Sequence, residues 1–289
     1  MPHYNFARNN PYDRQAPVEP LLPALMPSAA YMQSIRAFDV PEGALAIWYF
    51  GQNGFILKTR SSPLLSIDLY LSDSCAERFA SLPFRLNRQL PVFVEPEDLD
   101  VDIFLTTHSH DDHADPETIR RLPHKDKLRF VGPWEAVSRY VECGVPAASC
   151  TLLHPNQTLD LDGLSITGTF ALPTDATDLN HSGVLLRFPG GITFYNTGDT
   201  AYCGILASLL PRGPDLCAVC INGGFNNLSA MQAAHIVCAV QPRIAIPCHY
   251  DMMINNVGDP EMFRAALHVV GSPAEVRVLD YYEPWIYAR

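Results

Sequence analysis

Short apolar runs separated by polar and glycine-rich segments recur along most of the chain. The runs at 101–105 and 216–221 are five and six residues long, a length typical of buried strands. They alternate with segments that carry helix-start signals, such as Asp115 followed by Pro116 and Ser229 before an alanine-rich stretch. This order of strands and helices occurs twice, and it predicts an α/β fold in which two sheets pack face to face with helices outside.

The same pattern predicts the remaining elements. Strands or hairpins are expected at 44–59, 64–69, 128–131, 150–153, 159–172, 184–195, 243–247 and 276–279, and helices at 30–36, 116–122, 133–143, 202–210, 229–240 and 259–270. Residues 1–43 are rich in proline and polar residues, so we expect an extended N-terminal arm before a domain at 44–289. Such an arm, like the aromatic tail at 281–287, needs a surface to lie on. That surface is either its own chain or a neighbouring subunit, which leaves a homo-oligomer open.

One polar loop lies between the predicted strand at 101–105 and the helix that Asp115 begins. Within six positions it contains four metal-ligand residue types, namely His108, His110, Asp112 and His113. Imidazole nitrogens and carboxylate oxygens are the usual ligands of zinc and similar divalent ions. In an extended segment residues two apart point the same way, so His108 and His110 can bind one ion. Asp112 and His113 lie beyond the bend and can face a second ion.

Further polar residues follow predicted strands elsewhere in the chain. They include Asp68, the segment 174–182, Asp199, the segment 222–227 and His249. For Asp68 the residues alone leave two interpretations open, a turn carboxylate or a hydrogen-bond acceptor for a metal-binding histidine. His154 and His235 are typical of an ordinary turn histidine and an ordinary helix histidine.

Composition narrows the classes of function. The chain has 289 residues, of which 47% are hydrophobic and 18% charged, as in globular proteins with a sizeable core. The net charge of −11, without a cluster of Lys and Arg, argues against a broad nucleic-acid surface. We find no apolar run near the roughly 18 residues of a membrane span and no signal-peptide segment, so we expect a cytoplasmic protein without a membrane partner. Several of the eight cysteines, including Cys217 and Cys220, lie in apolar runs, where reduced cysteine is a core residue.

The motif His108-x-His110-x-Asp112-His113 resembles the signature of the metallo-β-lactamase superfamily. Within that superfamily the chain is similar to the L-ascorbate-6-phosphate lactonase-like branch. The similarity extends from about residue 31 to 263, with its markers at 46–55, 66–68, 108–113, 189–191, 197–200 and 246–251. The resemblance implies a four-layer αββα sandwich with two divalent metal ions, manganese or zinc, at the edge where the sheets meet.

The resemblance also implies how distant residues join the histidine loop. Asp199 matches the carboxylate that bridges the two ions, and His249 matches a ligand of the second ion. For the third ligand of the first ion the branch favours Asp175, with His181 as the rival; we place His181 in the pocket as a catalytic residue. The resemblance favours the metal-site interpretation of Asp68, as an acceptor for a ligating histidine.

The implied function is a metal-dependent hydrolase that opens a lactone or ester of a small molecule by attack of hydroxide. Asp112 would orient the nucleophile and carry a proton to the leaving alkoxide. The substrate pocket is expected among the 70–98 loop, His181 and the segment 222–227, with Asn222 and Asn227 as candidate contacts. If the substrate is a phosphorylated sugar lactone, Arg85 or Arg88 is expected to bind the phosphate.

Two other functions remain open at this stage. A phosphodiesterase uses the same kind of two-metal site for in-line attack on phosphorus. A metal-stabilised ligand-binding protein would need no chemistry, although structural metal sites are usually closed by protein ligands.

Overall fold

A computed structural model describes residues 9–22 and 26–289 of the chain. Residues 1–8 and 23–25 belong to the predicted arm and lie outside the described residues, as does the segment in which a signal peptide was sought. The predicted arm helix is present as α1 (Ser28–Ala37), and its buried side chains include Met32 and Ile35. The described part of the arm also contacts its own chain, because the Leu21 amide donates to the Gln89 carbonyl at 2.8 Å.

The first sheet has seven strands and is built largely from the N-terminal half of the chain. Its order is β14 (Trp285–Ala288), β1 (Ala44–Gly51), β2 (Gly54–Lys58), β3 (Leu65–Ile67), β4 (Ile103–Leu105), β5 (Arg129–Gly132) and β6 (Cys150–Leu152). Strands β14 to β3 pair antiparallel, whereas β3 to β6 pair parallel. The carboxyl ends of β3 and β4 therefore lie at the same edge of the sheet.

The second sheet also has seven strands and contains the hairpins predicted at 159–172 and 184–195. Its order is β13 (Glu275–Val276), β12 (Ile244–Cys248), β11 (Leu216–Cys220), β10 (Thr193–Asn196), β9 (Ser182–Arg187), β8 (Leu164–Phe170) and β7 (Thr158–Leu161). Strands β10 to β13 pair parallel, so β10, β11 and β12 end at one edge.

The two sheets face each other across a shared apolar core. Phe55 on β2 and Phe194 on β10 are both fully buried, and their ring centroids lie 5.6 Å apart. The remaining helices are α2 (Ser74–Arg78), α3 (Pro116–Arg121), α4 (Trp134–Glu142), α5 (Leu206–Leu209), α6 (Ala230–Val240) and α7 (Pro260–Val269). Helix α4 contacts β5 of the first sheet and α6 contacts β11 of the second. The predicted four-layer αββα sandwich is therefore confirmed.

Local signals account for the starts of α3 and α6. The Asp115 side chain accepts hydrogen bonds from the first-turn amides of α3, as predicted from Asp115 and Pro116. Ser229 and Gln232 form a capping box at the start of α6. None of the helices in the described ranges has the length and apolarity needed to cross a bilayer.

Two element predictions were wrong in extent. The helix expected at 202–210 is only the single turn α5, between Gly204 and Pro211, because glycine weakens helix formation and proline ends it. The strand expected at 276–279 is reduced to the short β13. The last strand of the chain is instead β14, which pairs with β1 in the first sheet. The aromatic tail was expected to lie on its own chain or on a neighbouring subunit, and part of it forms this edge strand of its own chain.

Candidate metal centre

The candidate site forms where the carboxyl ends of strands from both sheets meet. Asp68 follows β3, the histidine loop follows β4, Asp199 follows β10 and His249 follows β12. Parallel strands end at the same sheet edge, so residues that are far apart in sequence become neighbours. The sandwich therefore explains why the polar residues of this chain lie at strand ends.

The histidine loop is shaped by its own backbone and by one distant acid. The amides of His113 and Ala114 donate to the His110 carbonyl at 3.0 and 2.8 Å, which closes a tight turn before α3. The Ser109 amide donates to the Asp178 carboxylate at 2.6 Å. These bonds hold the histidine side chains on one side of the loop.

Three histidines form the first cluster. The potential ligand atoms of His108, His110 and His181 lie within 4.8 Å of one another. His181 Nδ1 lies 3.0 Å from the Asp199 carbonyl oxygen, and His108 Nδ1 lies 3.1 Å from the Thr107 hydroxyl. The Nε2 atoms of His108 and His181 are buried and have no hydrogen-bond partner among the described residues. An unpaired buried polar atom costs about 1–3 kcal/mol, so this cluster fits a cation that would accept both nitrogens as ligands.

The second cluster contains two histidines and carboxylates. Ligand atoms of Asp112, His113 and His249 also lie within 4.8 Å of one another. Asp199 Oδ1 lies 3.5 Å from His113 Nε2, and Asp199 Oδ2 lies 3.2 Å from His249 Nε2. Because the Asp199 backbone carbonyl also contacts His181, this residue stands between the two clusters.

The two clusters differ in electrostatics. Burial, with a smaller contribution from the neighbouring histidines, holds the pKa of His108 well below its usual value. Burial also lowers the pKa of His181. In the second cluster, burial alone would lower the pKa of His249, but Asp199 and Asp112 outweigh it and raise that pKa to about 9. His108 and His181 of the first cluster therefore offer neutral imidazoles. In the second cluster a bound cation would replace protons as the partner of the acids.

Polar contacts around the ligand residues fix their orientation. Asp68 lies 2.7 Å from His113 Nδ1 and accepts the Thr107 amide at 2.7 Å. The contact with His113 is the one expected if Asp68 is the hydrogen-bond acceptor of a metal-binding histidine. Gln52 Nε2, in the β1–β2 turn, donates to Asp112 Oδ2 at 2.8 Å.

Several residues of the centre have strained backbones. Gln52, Asp68 and His249 have φ angles of 49°, 45° and 63°, in the left-handed region that non-glycine residues rarely adopt. The packing around them must hold this conformation, and such strain is typical of functional sites. The backbone beside Asp199 also requires a glycine. A Cβ on Gly198 would lie 2.6 Å from the Ser182 carbonyl oxygen, which is too close.

Asp68→Asn is expected to weaken metal binding about tenfold, at the lower end of the effect of removing a ligand's hydrogen-bond partner. Asparagine keeps the shape and tolerates a positive φ, so the fold should survive while the charge behind His113 is lost. Metal titration of the stripped protein measures the change. Asp162→Asn, at an exposed turn with positive φ, is the matched control and should bind metal normally. Equal affinity in both variants would remove Asp68 from the centre.

The structure brings both candidate third ligands near the histidine loop, in different settings. Asp175 Oδ1 lies 3.4 Å from His110 Nε2, but its side chain is 50% exposed and already accepts the Thr177 amide and hydroxyl. His181 is 3% exposed and has the unpartnered Nε2 described above. The geometry therefore favours His181, opposite to the preference that the family resemblance suggested.

Most of the predicted substrate contacts are placed elsewhere. Arg85 donates to the carbonyls of Ala16 and Asn10 in the arm, and Arg88 donates to carbonyls that include that of Leu90. Neither arginine lines the cavity beside the ligand residues. Their guanidinium groups are occupied by backbone carbonyls, which the sequence did not indicate.

Of the two asparagines predicted as substrate contacts, only Asn227 lies at the cavity. Asn227 lines the cavity, and its Nδ2 donates to Asp199 Oδ2. Asn222 donates to Asn256 instead and does not line that cavity.

The cavity beside the clusters has a volume of about 430 Å³, within the usual range of small-molecule sites. Its polar residues include five of the predicted ligands: His110, Asp112, Asp175, Asp199 and His249. The sequence reasoning missed three polar residues that the structure brings to the site: Gln52, Asp111 and Arg139. Arg139 carried a weak signal, since it lies three residues after Ala136 on the apolar face of the predicted helix.

Comparisons with known proteins agree with this geometry. Residues 46–249 match the family described as the beta-lactamase superfamily domain. A metal-dependent hydrolase from Anaeromyxobacter sp. (strain K) is 28% identical over 84% of this chain and 86% of its own length. A probable L-ascorbate-6-phosphate lactonase from Escherichia coli O127:H6 is 23% identical over 80% of this chain and 77% of its own length.

Solved structures share the fold. A metallo hydrolase from the archaeon Ignicoccus hospitalis superimposes with a TM-score of 0.62 and 21% identity over 85% of this chain and 99% of that chain. A possible metal-dependent hydrolase from Veillonella parvula gives a TM-score of 0.66 and 17% identity over 83% of this chain and 98% of that chain.

Proposed function

The chain belongs to the metallo-β-lactamase superfamily as a metal-dependent hydrolase, and on this premise we propose that it opens a lactone or ester of a small molecule. The proposed centre holds two divalent ions. Its ligands are His108, His110 and His181 for the first ion and Asp112, His113 and His249 for the second, with Asp199 between them.

One observation carries this proposal. The Nε2 atoms of His108 and His181 are buried, lack hydrogen-bond partners among the described residues, and belong to one cluster that borders the cavity. Two buried, neutral imidazoles with unpaired nitrogens in one cluster are chemically incomplete without a cation. A cavity next to it gives a substrate access to the same cation, as expected of a catalytic rather than a closed structural site.

When bound, divalent ions at such a site lower the pKa of water toward neutrality and polarise a substrate carbonyl. The chain's own residues supply orientation and proton transfer. Asp112 borders the cavity, and its Oδ2 is held by Gln52. Asp112 can therefore accept the proton of the attacking water and return it to the leaving alkoxide. Asn227 holds the Asp199 carboxylate in place from the cavity wall.

The donor set favours zinc over manganese. With His181 in place of Asp175, the proposed ligands comprise five imidazoles and two carboxylates. Imidazole suits zinc, whereas carboxylate-rich sites suit manganese. An aspartate at the third position would favour manganese, and this chemical argument does not apply when His181 takes that place.

Lactone opening is supported by the E. coli relative, which is named a probable lactonase. The fold itself hosts many activities and does not choose the substrate. The reaction is therefore best tested with a panel that separates carbonyl chemistry from phosphorus chemistry.

Metal-stripped protein reloaded with zinc or manganese should bind about two ions per chain and open lactones or cleave esters. Its kcat/KM on the best lactone should exceed that on bis(p-nitrophenyl) phosphate by at least about tenfold, a difference of ~1.4 kcal/mol in activation free energy. Metal content by mass spectrometry and turnover of the same samples give both numbers. A preference for the phosphodiester would identify a phosphodiesterase. Full metal loading without turnover of any substrate would identify a ligand-binding protein.

A further inference from the structure

The cavity beside the metal clusters has one wall that is almost entirely apolar. That wall is formed by Phe79, Leu82, Phe84, Leu86, Phe225 and Met253. It lies in the same cavity as Asp112 and His249, so a molecule held at the ligand residues also meets this surface.

Two of the three aromatic rings of the wall, those of Phe84 and Phe225, come from different halves of the chain. Phe84 lies in the connection between α2 and β4, and Phe225 lies in the loop between β11 and α6. Their ring centroids are 5.8 Å apart in an edge-to-face arrangement. The sandwich therefore brings an aromatic pair together in the lining of the cavity.

The Phe84 side of the wall is held in place by the N-terminal arm. Arg14 donates to the Phe84 carbonyl at 3.1 Å, and the Arg85 amide donates to the Pro11 carbonyl at 3.0 Å. The guanidinium of Arg85 donates to two further arm carbonyls. The arm thus braces a segment that would otherwise be an exposed loop, which gives the wall a fixed shape.

Phe225 is unusual both in exposure and in backbone conformation. Its side chain is 47% exposed, although burial would stabilise the fold. Its φ of 53°, followed by 62° at Asn226, is a left-handed conformation that is unfavourable for a bulky residue. Asn226 holds the loop by donating to the Thr174 carbonyl at 2.7 Å. An exposed phenyl ring kept over the cavity at this cost indicates binding rather than packing.

The two arginines of the cavity share one carboxylate partner, Asp111. Arg78 Nε and Arg139 Nη1 each lie 2.6 Å from a different oxygen of Asp111. Both arginines line the cavity, and one carboxylate already neutralises part of their charge. A phosphorylated sugar would meet a partly neutralised pair on one side and an apolar wall on the other.

We infer that the substrate carries an alkyl or aryl substituent, which packs against this wall while its lactone or ester carbonyl lies at the metal ligands. This inference rests on the proposed hydrolase function and names its substrate class. Phe225 and Phe84 are then specificity residues, because they select the substituent and do not touch the reacting atoms.

The test uses the metal-loaded protein and a series of γ-lactones whose side chain grows from methyl to heptyl. The value of kcat/KM should rise about threefold to fourfold for each methylene until the wall is covered. Glucono-δ-lactone and its 6-phosphate are the polar comparisons, and both should be poorer substrates than the heptyl lactone. In Phe225→Ala the ratio of kcat/KM between the heptyl and methyl lactones should fall about tenfold. Ile205→Ala, which removes an apolar side chain that is 72% exposed outside the cavity, should leave this ratio unchanged.

A second measurement tests binding of the substituent independently of the hydrolysis reaction. Calorimetric titration with butanoate, hexanoate and octanoate, which resemble the product acids, should give a Kd that falls with chain length in the wild type and falls less in Phe225→Ala. Chain-length-dependent binding without turnover would support the wall and overturn the hydrolase function. If turnover and binding do not depend on chain length, or if the sugar phosphate is the better substrate, the inferred role of the apolar wall is wrong. The proposed hydrolase function would then still hold.

Discussion

Asp199→Asn is expected to abolish most metal binding and to lower kcat/KM by at least about a thousandfold. Asp199 contacts both histidines of the second cluster and, through its backbone, His181 of the first. It is the carboxylate proposed to lie between the two ions, so its charge supports both. Metal polarisation of a carbonyl is worth several kcal/mol, and about 4 kcal/mol corresponds to this factor. Metal analysis after dialysis and steady-state kinetics measure the two effects.

Asp215→Asn is the matched control for this variant. Asp215 is another buried carboxylate next to the second sheet, but it binds Arg289 and Thr193, away from the metal clusters. Its loss should lower the free energy of unfolding without emptying the metal centre. If Asp199→Asn kept its full metal content and at least a tenth of the wild-type kcat/KM, Asp199 would not lie between two ions.

His181→Ala and Asp175→Ala are expected to differ by about a hundredfold or more in activity. His181 offers a buried, unpartnered Nε2 to the first cluster, whereas the half-exposed Asp175 carboxylate is engaged by Thr177. Removing a ligand should therefore cost metal and turnover, about 3 kcal/mol in activation free energy for that factor. Removing Asp175 should cost less than about tenfold, because only loop contacts to His110 and Thr177 are lost. Metal content and kcat/KM, measured side by side, give the comparison.

The opposite outcome would be equally informative. If Asp175→Ala lost metal and His181→Ala retained it, the aspartate would be the third ligand, as the family resemblance suggested. The donor set would then contain one more carboxylate, and the argument for manganese would return. The hydrogen bond from the Ser109 amide to the Asp178 carboxylate offers an internal control. Asp178→Asn should move the histidine loop without removing a ligand atom.

The histidine loop and its surroundings were predictable because their signals are local. A strand of apolar residues, a turn and a capped helix are each encoded within a few residues of one another. His108, His110, Asp112 and His113 therefore appear at the predicted place, between β4 and α3. The same holds for the hairpins and for the capped start of α6, since turn residues and helix caps act over three or four positions.

The final strand and the apolar wall were not predictable in this way. Strand β14 pairs with β1, more than two hundred residues earlier in the chain, and no local pattern states that pairing. Phe84 and Phe225 also belong to separate loops, and only the fold brings their rings to 5.8 Å. The sequence around an aromatic loop residue does not indicate which distant residue its ring will contact.

The sequence by itself determined the α/β sandwich, the place of the histidine loop and the strand ends at which the other candidate ligands lie. Only the tertiary structure placed His181 among buried histidines and Asp175 in a half-exposed loop. Only it assigned Arg85 and Arg88 to backbone carbonyls while placing Arg78 and Arg139 at the cavity. The reason is physical. Residue type states what a side chain can bind, but which partner it meets depends on distances between segments that are remote in sequence, and those distances exist only after the two sheets have packed.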